Sequence, residues 1–137
     1  MAAMAKMSPR IEVHVTPQVD DYLAKLSVRC PADRAQLDAL MDYLDAHGHG
    51  SVLPDVGWKI QQSRYRVITG ELRVEDPERS YRILFAMDPD ERWVHYLVAG
   101  NKSVGSHQGN AWYDAWVPVA DAYLEVFLNR IGFTPIN

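Results

Sequence analysis

The chain has 137 residues, of which 47% are hydrophobic and 23% charged, so its length and composition are those of one globular domain. The net charge of −4 argues against a general nucleic-acid binder, and the single cysteine, Cys30, excludes an internal disulfide and most structural zinc sites. The sequence contains neither an apolar run of about 20 residues nor a signal peptide. We therefore expect a soluble, cytoplasmic, single-domain protein over residues 10–137, with no membrane partner, after a disordered tail at 1–9.

The first third of the sequence predicts one strand followed by a helical hairpin. Residues 11–15 alternate apolar and polar, which predicts a strand with Ile11, Val13 and Val15 facing inward. Thr16-Pro17 is a helix start signal, Pro31 begins a second helix, and Gly48 is placed to end it. The apolar stripes are Val19, Tyr22, Leu23 and Leu26, then Leu37, Leu40, Met41 and Leu44, and the acids expected on the solvated face are Asp33, Asp38, Asp42 and Asp45.

The turn after this hairpin carries two histidines, in His47-Gly48-His49-Gly50. A metal site needs three or four ligands, and no cysteine is near, so we expect solvated loop residues and no bound metal or other cofactor.

From Trp58 onward the apolar period changes to two, which predicts strands. Leu72 and Val74 alternate with charged residues, and residues 93–99 are apolar on both faces. Between them, Tyr81, Ile83, Phe85 and Met87 alternate with Arg82, Leu84 and Ala86. The short polar turns between them favour an antiparallel meander. A strand that is apolar on both faces is expected in the middle of a covered sheet.

The last third predicts a loop over residues 100–110 and then helix. Asn110 is placed to cap a short helix that ends at Val117, because Pro118 inside a helix costs about 3 kcal/mol. A new helix from Pro118 to Gly132 would bury Ala120, Tyr123, Leu124, Phe127 and Leu128. The predicted fold class is α+β: a strand and helical hairpin, a small antiparallel twisted sheet of about four strands, and a C-terminal helix.

The sequence contains no nucleophile elbow, P-loop, zinc-protease or Cys-x-x-Cys motif. Its clearest local feature is a basic block from Gly57 to Arg73, in which Glu71 is the one acidic residue among the cations Lys59, Arg64, Arg66 and Arg73. In Ser63-Arg64-Tyr65-Arg66 an aromatic side chain lies between cations, a pattern suited to stacking on a base while holding phosphates. Ordinary surface ion pairs would explain the same residues, including Arg82 on the next strand.

Several short motifs follow one another in order: Ser63, Glu71-Leu72-Arg73, Arg82-Ile83-Leu84-Phe85-Ala86-Met87-Asp88-Pro89, Gly100-Asn101-Lys102-Ser103, Trp112-Tyr113 and Pro118-Val119-Ala120-Asp121. In this order, over about half of the chain, they resemble the HigB-like branch of the RelE/ParE toxin superfamily, in particular its actinobacterial type. The sequence differs from that pattern in three places. Asn101 replaces an acid, Tyr65 stands where a histidine is common, and residues 107–110 replace a glycine and a tryptophan.

The resemblance implies a toxin of a type II toxin–antitoxin system that cleaves mRNA without a metal ion, on the ribosome, and is silenced by a helix-turn-helix antitoxin. In that chemistry the 2′-hydroxyl of the RNA attacks the neighbouring phosphorus. The implied catalytic residues are Glu71, Arg73, Arg82 and Lys102, and the implied substrate-binding residues are Lys59, Ser63, Arg64, Tyr65, Arg66, His107 and Tyr113.

Two other interpretations remain open on the sequence alone. ParE-like members of the superfamily poison DNA gyrase by binding it, and such a toxin would trap double-strand breaks and leave transcripts uncut. An adaptor or phage accessory protein of the same fold would not be toxic.

Overall fold

The computed structural model describes residues 11–51, 54–105 and 107–135, and the tail predicted at 1–9 lies outside them. In chain order the elements are β1 (Glu12–Val15), α1 (Pro17–Arg29), α2 (Pro31–His47), β2 (Val56–Trp58), β3 (Thr69–Glu75), β4 (Ser80–Met87), β5 (Trp93–Asn101) and α3 (Asn110–Ile131), with short 3₁₀ turns at Gly48–Gly50 and Arg66–Ile68. The predicted α+β class is confirmed.

One five-stranded sheet in the order β1-β5-β4-β3-β2 organises the molecule. β2 to β5 form the predicted antiparallel meander, and β1 is added to the edge of β5 in parallel. α1 and α2 cover one face of the sheet, over a core that includes Leu72, Phe85 and Tyr96. α3 packs on the other face, against a second core that includes Leu84 and Leu97.

Three helix termini lie where the sequence predicts them: the start of α1 and the ends of α2 and α3. The Thr16 hydroxyl accepts a hydrogen bond from the backbone N–H of Val19, with Pro17 as the first helical residue. Gly48 and Gly132, with φ of 54° and 70°, end α2 and α3 in conformations that disfavour other residues. β5 is buried on both faces from Trp93 to Gly100, as its composition indicates.

Three predictions about buried faces are wrong. Val13 is 44% exposed, because β1 is an edge strand and only Ile11 and Val15 pack against the core. Asp33 is buried, not solvated: it accepts a hydrogen bond from the Tyr81 hydroxyl at 2.7 Å. Asp45 is half-buried and accepts a hydrogen bond from the Tyr96 hydroxyl at 2.6 Å. Buried tyrosines on the sheet thus draw two hairpin acids inward, which helical spacing does not reveal.

The predicted break at Pro118 is also wrong, since α3 continues through it. Pro118 has no backbone N–H to donate to the carbonyl of Asp114, four residues earlier. Both residues are exposed, so solvent can bond that carbonyl and the helix continues. Asn110 lies inside α3, and the N-cap position is Gly109 with no side-chain cap. None of the described helices is both long enough and apolar enough to cross a membrane.

Candidate active site

A cleft of about 300 Å³ lies on the α3 face of the sheet, where β2 and β3 approach the start of α3. Its lining residues are Gly57, Trp58, Lys59, Ile60, Gln61, Gln62, Glu71, Arg73, Asn110 and Tyr113. Strand alternation explains why charged residues lie here: Leu72 is fully buried on the opposite face, so its neighbours Glu71 and Arg73 both face the cleft. The apolar core on this face of the sheet includes Trp112, next to Tyr113 at the start of α3, so the cleft lies at the edge of that core.

Glu71 links three of the predicted site residues. Its side chain is only 10% exposed, and Oε2 accepts a hydrogen bond from Arg73 Nε at 2.8 Å. Oε1 accepts a hydrogen bond from the Tyr113 hydroxyl at 2.7 Å and lies 3.6 Å from Arg82 Nε. A nearly buried carboxylate with three such partners is held in one position.

Arg82 and Arg73 are direct neighbours across β3 and β4, an arrangement in which like charges repel. Glu71 and Glu75, two residues to either side of Arg73 on the same strand face, neutralise the pair. Arg82 is 3% exposed; it forms a salt bridge with Glu75 and donates to the Tyr113 hydroxyl and to the Tyr81 carbonyl, both at 3.0 Å. The Arg82 side chain lowers the pKa of the Glu75 carboxyl, so that this pair stays ionised.

Tyr113 joins the helix to the strands. It donates to Glu71 and accepts from Arg82, and burial together with the Glu71 carboxylate raises its pKa to about 12. The phenol therefore holds its proton at neutral pH.

Lys102 reaches this cluster from the loop after β5. Its Nζ lies 5.0 Å from the centre of the Tyr113 ring, within the range of a cation–π contact. The Lys102 backbone is fixed by its N–H to Ser80 and by its carbonyl, which accepts from Gly109. Asn101 Oδ1 accepts from the Ser80 N–H, the Ser103 N–H and the Ser103 hydroxyl, so Asn101 provides the acceptor oxygen that an aspartate would use to hold this turn.

Gly57 makes room for the guanidinium group of Arg73. A Cβ at this position would lie 2.3 Å from Nη2 of Arg73, closer than real Cβ contacts come. The guanidinium group therefore lies directly on the backbone of β2, where any side chain would displace it.

The loop from Lys59 to Ile68 holds the remaining basic residues, and the structure divides them. Ser63 is buried: its hydroxyl donates to Asp121 at 2.6 Å and accepts from the Tyr65 N–H. Arg64 and the Tyr65 hydroxyl both contact Glu125. Glu125 is 12 residues beyond Tyr113 on α3, about 18 Å along the helix, so this part of the loop is not in the Glu71 cluster.

Lys59 and Arg66 remain close to the cleft. Lys59 lines it in a left-handed conformation, with φ of 63°, that is unusual for a residue with a side chain. Arg66 donates to Gln61, another lining residue, at 3.3 Å. His107 is exposed and lines a different cleft, together with Trp116.

Two residues of this region were missed by sequence reasoning. Glu75 continues the period-two pattern of Glu71 and Arg73, which is the signal that could have found it. Asp121 anchors the loop by accepting from the Ser63 hydroxyl and from the Arg64 N–H at 2.8 Å. It lies in a motif that the resemblance includes, but nothing in the sequence links it to Ser63, 58 positions earlier.

The chemical resources of the cluster are cations, a carboxylate and a protonated phenol. Among the described residues, no three His, Cys, Asp or Glu side chains come together in a way that could hold a metal ion. The arrangement presents one guanidinium to the cleft at Arg73, an ammonium group over the Tyr113 ring at Lys102, and a hydrogen bond between Tyr113 and Glu71 along which a proton can move.

No family model matches this sequence, and no curated protein does. Among solved structures, the chain is similar to the RelBE2 toxin–antitoxin complex of Mycobacterium tuberculosis, with 20% sequence identity and a TM-score of 0.42. That likeness covers 72% of this chain and 98% of the other.

Proposed function

We propose that this protein is a toxin of the RelE/ParE type that cleaves RNA at the cleft between β2, β3 and the start of α3, without a metal ion. One observation carries the proposal: cations from three separate segments surround the Glu71–Tyr113 pair. Arg73 donates to Glu71, Arg82 donates to the Tyr113 hydroxyl, and Lys102 lies over the Tyr113 ring. The ordered sequence motifs that resemble that superfamily contain all five residues, and this agreement supports the assignment of the site.

Cleavage of this type uses the 2′-hydroxyl of the RNA as nucleophile. It attacks the adjacent phosphorus, the bond to the 5′-oxygen breaks, and a 2′,3′-cyclic phosphate remains. The protein accelerates the reaction by aligning the hydroxyl, stabilising charge on the phosphorane and moving one proton. Arg73 and Lys102, the cations at the cleft and at its margin, are assigned to the phosphorane oxygens.

The hydrogen bonds of the cluster suggest a path for proton transfer. Glu71 takes it from the 2′-hydroxyl, Tyr113 gives its own to the leaving 5′-oxygen, and the 2.7 Å bond between them returns the proton from Glu71 to Tyr113. A phenol with a raised pKa suits this role because it is protonated before each turnover. Arg82 is buried and is assigned to positioning Glu71 and Tyr113.

Substrate contacts outside the reacting phosphate are assigned to the wall of the cleft. Lys59 and Arg66 are assigned to neighbouring phosphates. Arg64 and Tyr65 contact Glu125, further along α3, and would meet only a longer RNA. The proposal includes mRNA on the ribosome as substrate and a helix-turn-helix antitoxin as partner, both on the strength of the sequence resemblance.

Purified protein, incubated in EDTA with free RNA and with mRNA on ribosomes, tests the proposal. We expect the wild-type protein to cleave at least one substrate and Arg73→Ala and Lys102→Ala to cleave about 10²–10³-fold more slowly. Lys25→Ala removes an exposed cation on α1, far from the cluster, and is the charge-matched control.

Induced expression in cells gives the second measurement. We expect growth arrest with the wild-type protein and relief of arrest with Arg73→Ala and Lys102→Ala. If both variants remain as active and as toxic as the wild type, the site is wrong. Arrest with DNA breaks and intact transcripts would indicate a gyrase poison, and growth without arrest would indicate an adaptor protein.

A further inference from the structure

A second cleft, of about 500 Å³, lies where β5 loses its neighbour. β1 pairs with β5 only from Trp93 to Tyr96. Beyond that point side chains take the place of a strand: Thr16 donates to the Leu97 carbonyl, and the Gln18 amide both donates to and accepts from the backbone of Ala99, each at 2.8 Å. Past Ala99 the cleft opens between α1, the start of α2 and the start of α3.

The walls of this cleft combine flat aromatic rings with two guanidinium groups and an imidazole: Tyr22, Trp112, Trp116, Arg29, Arg79 and His107. Trp112 is nearly buried, and its indole lies against Gly100, where a Cβ would be 2.8 Å from Nε1. Tyr22 and Trp116 are half-buried and leave part of each ring open to the cleft.

Asp33 is the one acid among the described residues that line the cleft, and it is already bound. It accepts from the Tyr81 hydroxyl at 2.7 Å and lies 3.3 Å from Arg79 Nε. Tyr81 and Arg79 hold the pKa of Asp33 below its ordinary value, so this acid stays ionised and paired. Arg79 is thereby paired with Asp33, and it also pairs with Asp76. The exposed Arg29 guanidinium forms no salt bridge among the described residues and is left to meet an anion from solution.

The cleft adjoins the candidate active site, because two pairs of adjacent residues are divided between them. Asn101 lines the cleft while Lys102 belongs to the site, and Trp112 lines the cleft while Tyr113 belongs to the site. The Trp112 and Tyr113 rings meet edge to face, with centroids 5.3 Å apart.

We propose that this second cleft binds one unstacked base of single-stranded RNA, next to the nucleotide whose phosphate lies at Arg73 and Lys102. Aromatic rings and guanidinium groups bind the faces of splayed bases. Gln18 donates one amide N–H to Ala99 and Asn101 accepts with its oxygen from Ser80 and Ser103, so the remaining N–H groups of both amides can donate to a base edge. A cleft of this size is in the range of small-molecule sites and has room for a nucleotide. The inference rests on the proposed function for its substrate class, and it makes Trp116 and Arg29 determinants of base preference.

Binding of uncleavable RNA tests the inference separately from catalysis. The probes are four fluorescent 2′-O-methyl oligonucleotides, of A, C, G and U, which lack the attacking hydroxyl. We expect the wild-type protein to favour one base by about tenfold, the worth of one hydrogen bond to a base edge. Trp116→Leu and Arg29→Gln should reduce that preference to near unity, because the base is no longer held where its edge can be bonded. Lys25→Gln, an exposed cation on the same helix as Arg29, should keep it.

The variants at the two sites should behave differently. Arg73→Ala and Lys102→Ala are expected to weaken all four oligonucleotides alike, since they bind phosphate, whereas Trp116→Leu removes selectivity. A thermal melt of each variant identifies any that is unfolded, and Arg29→Gln, on an exposed side chain, serves if Trp116→Leu does not fold.

Three results would overturn the inference: equal affinity of the wild-type protein for all four bases, an unchanged preference in both cleft variants, or shielding of Trp116 fluorescence by a peptide and by none of the oligonucleotides. Base-selective binding by a protein that cleaves no RNA would support the cleft and contradict the proposed function.

Discussion

The substitution Gly57→Ala changes the position of the Arg73 guanidinium group and leaves its charge unchanged. The new methyl group would lie 2.3 Å from Nη2 and 2.8 Å from Cζ of Arg73, so the guanidinium must move while the residue itself is unchanged. Gly57 has ordinary extended backbone in β2, which alanine adopts without strain.

The expected change in stability is small. Alanine for glycine in a strand gains about 0.5–1 kcal/mol of backbone entropy, and loss of the part-exposed Arg73–Glu71 pair costs about 0–1 kcal/mol, so the two nearly cancel. The expected change in activity is large: a cation displaced from the phosphorane costs roughly 10²–10³ in rate, as its removal does.

RNA cleavage and urea unfolding, measured on the same preparation, give both quantities. Gly50→Ala is the matched control, because nothing lies within 4 Å of its added Cβ. Activity of Gly57→Ala near that of the wild type, alongside an inactive Arg73→Ala, would show that the guanidinium works from a position other than the one on β2.

Three further changes have defined outcomes. Burial lowers the pKa of His95 to about 4, so the folded protein favours the neutral imidazole, and the stability that this gives is present above pH 6.5 and lost as pH falls toward 4. Between pH 7 and 4.5 the free energy of unfolding of the wild-type protein, measured in urea, should therefore fall by about 2 kcal/mol more than that of His95→Phe. Equal losses in the two proteins would contradict this. Asp121→Ala removes the acceptor of Ser63 and Arg64, which should cost about 2–4 kcal/mol and speed proteolysis within residues 59–68, whereas a wild-type cleavage pattern would show that the anchor is dispensable. Pro118→Ala restores a donor in the middle of α3 and should raise the free energy of unfolding by about 1–3 kcal/mol, with no gain expected only if the helix has adapted fully to the proline.

Local signals in the sequence predict most of the fold, because each is read within a few residues. The cap at Thr16, the stop at Gly48 and the two-faced apolar run of β5 depend on nearest neighbours, and the structure confirms all three. The helix break predicted at Pro118 is wrong because the free-energy cost of a proline inside a helix depends on whether solvent reaches the carbonyl that it leaves unpaired. The packing of α3 on the sheet decides this, and the local sequence does not show it.

The candidate site was predictable in part for the same reason. Glu71 and Arg73 share a strand face by alternation, and Arg82 follows on the next strand, so their proximity follows from a hairpin. The contacts of Tyr113 with Glu71 and Arg82 join residues 42 and 31 positions apart, and the depth at which Arg82 lies depends on how α3 crosses the sheet. The second cleft, which exists because β1 is too short to cover β5, has no local signal.

Analysis of the RNA ends tests the central claim most directly. Once the cut position on a substrate is mapped, the nucleotide 5′ to it is replaced by its 2′-deoxy form and the reaction is repeated in EDTA. We predict 2′,3′-cyclic phosphate ends on the unmodified RNA and no cleavage at the modified position, with binding retained. Free 3′-hydroxyl ends, or cleavage that continues without the 2′-hydroxyl, would contradict the account.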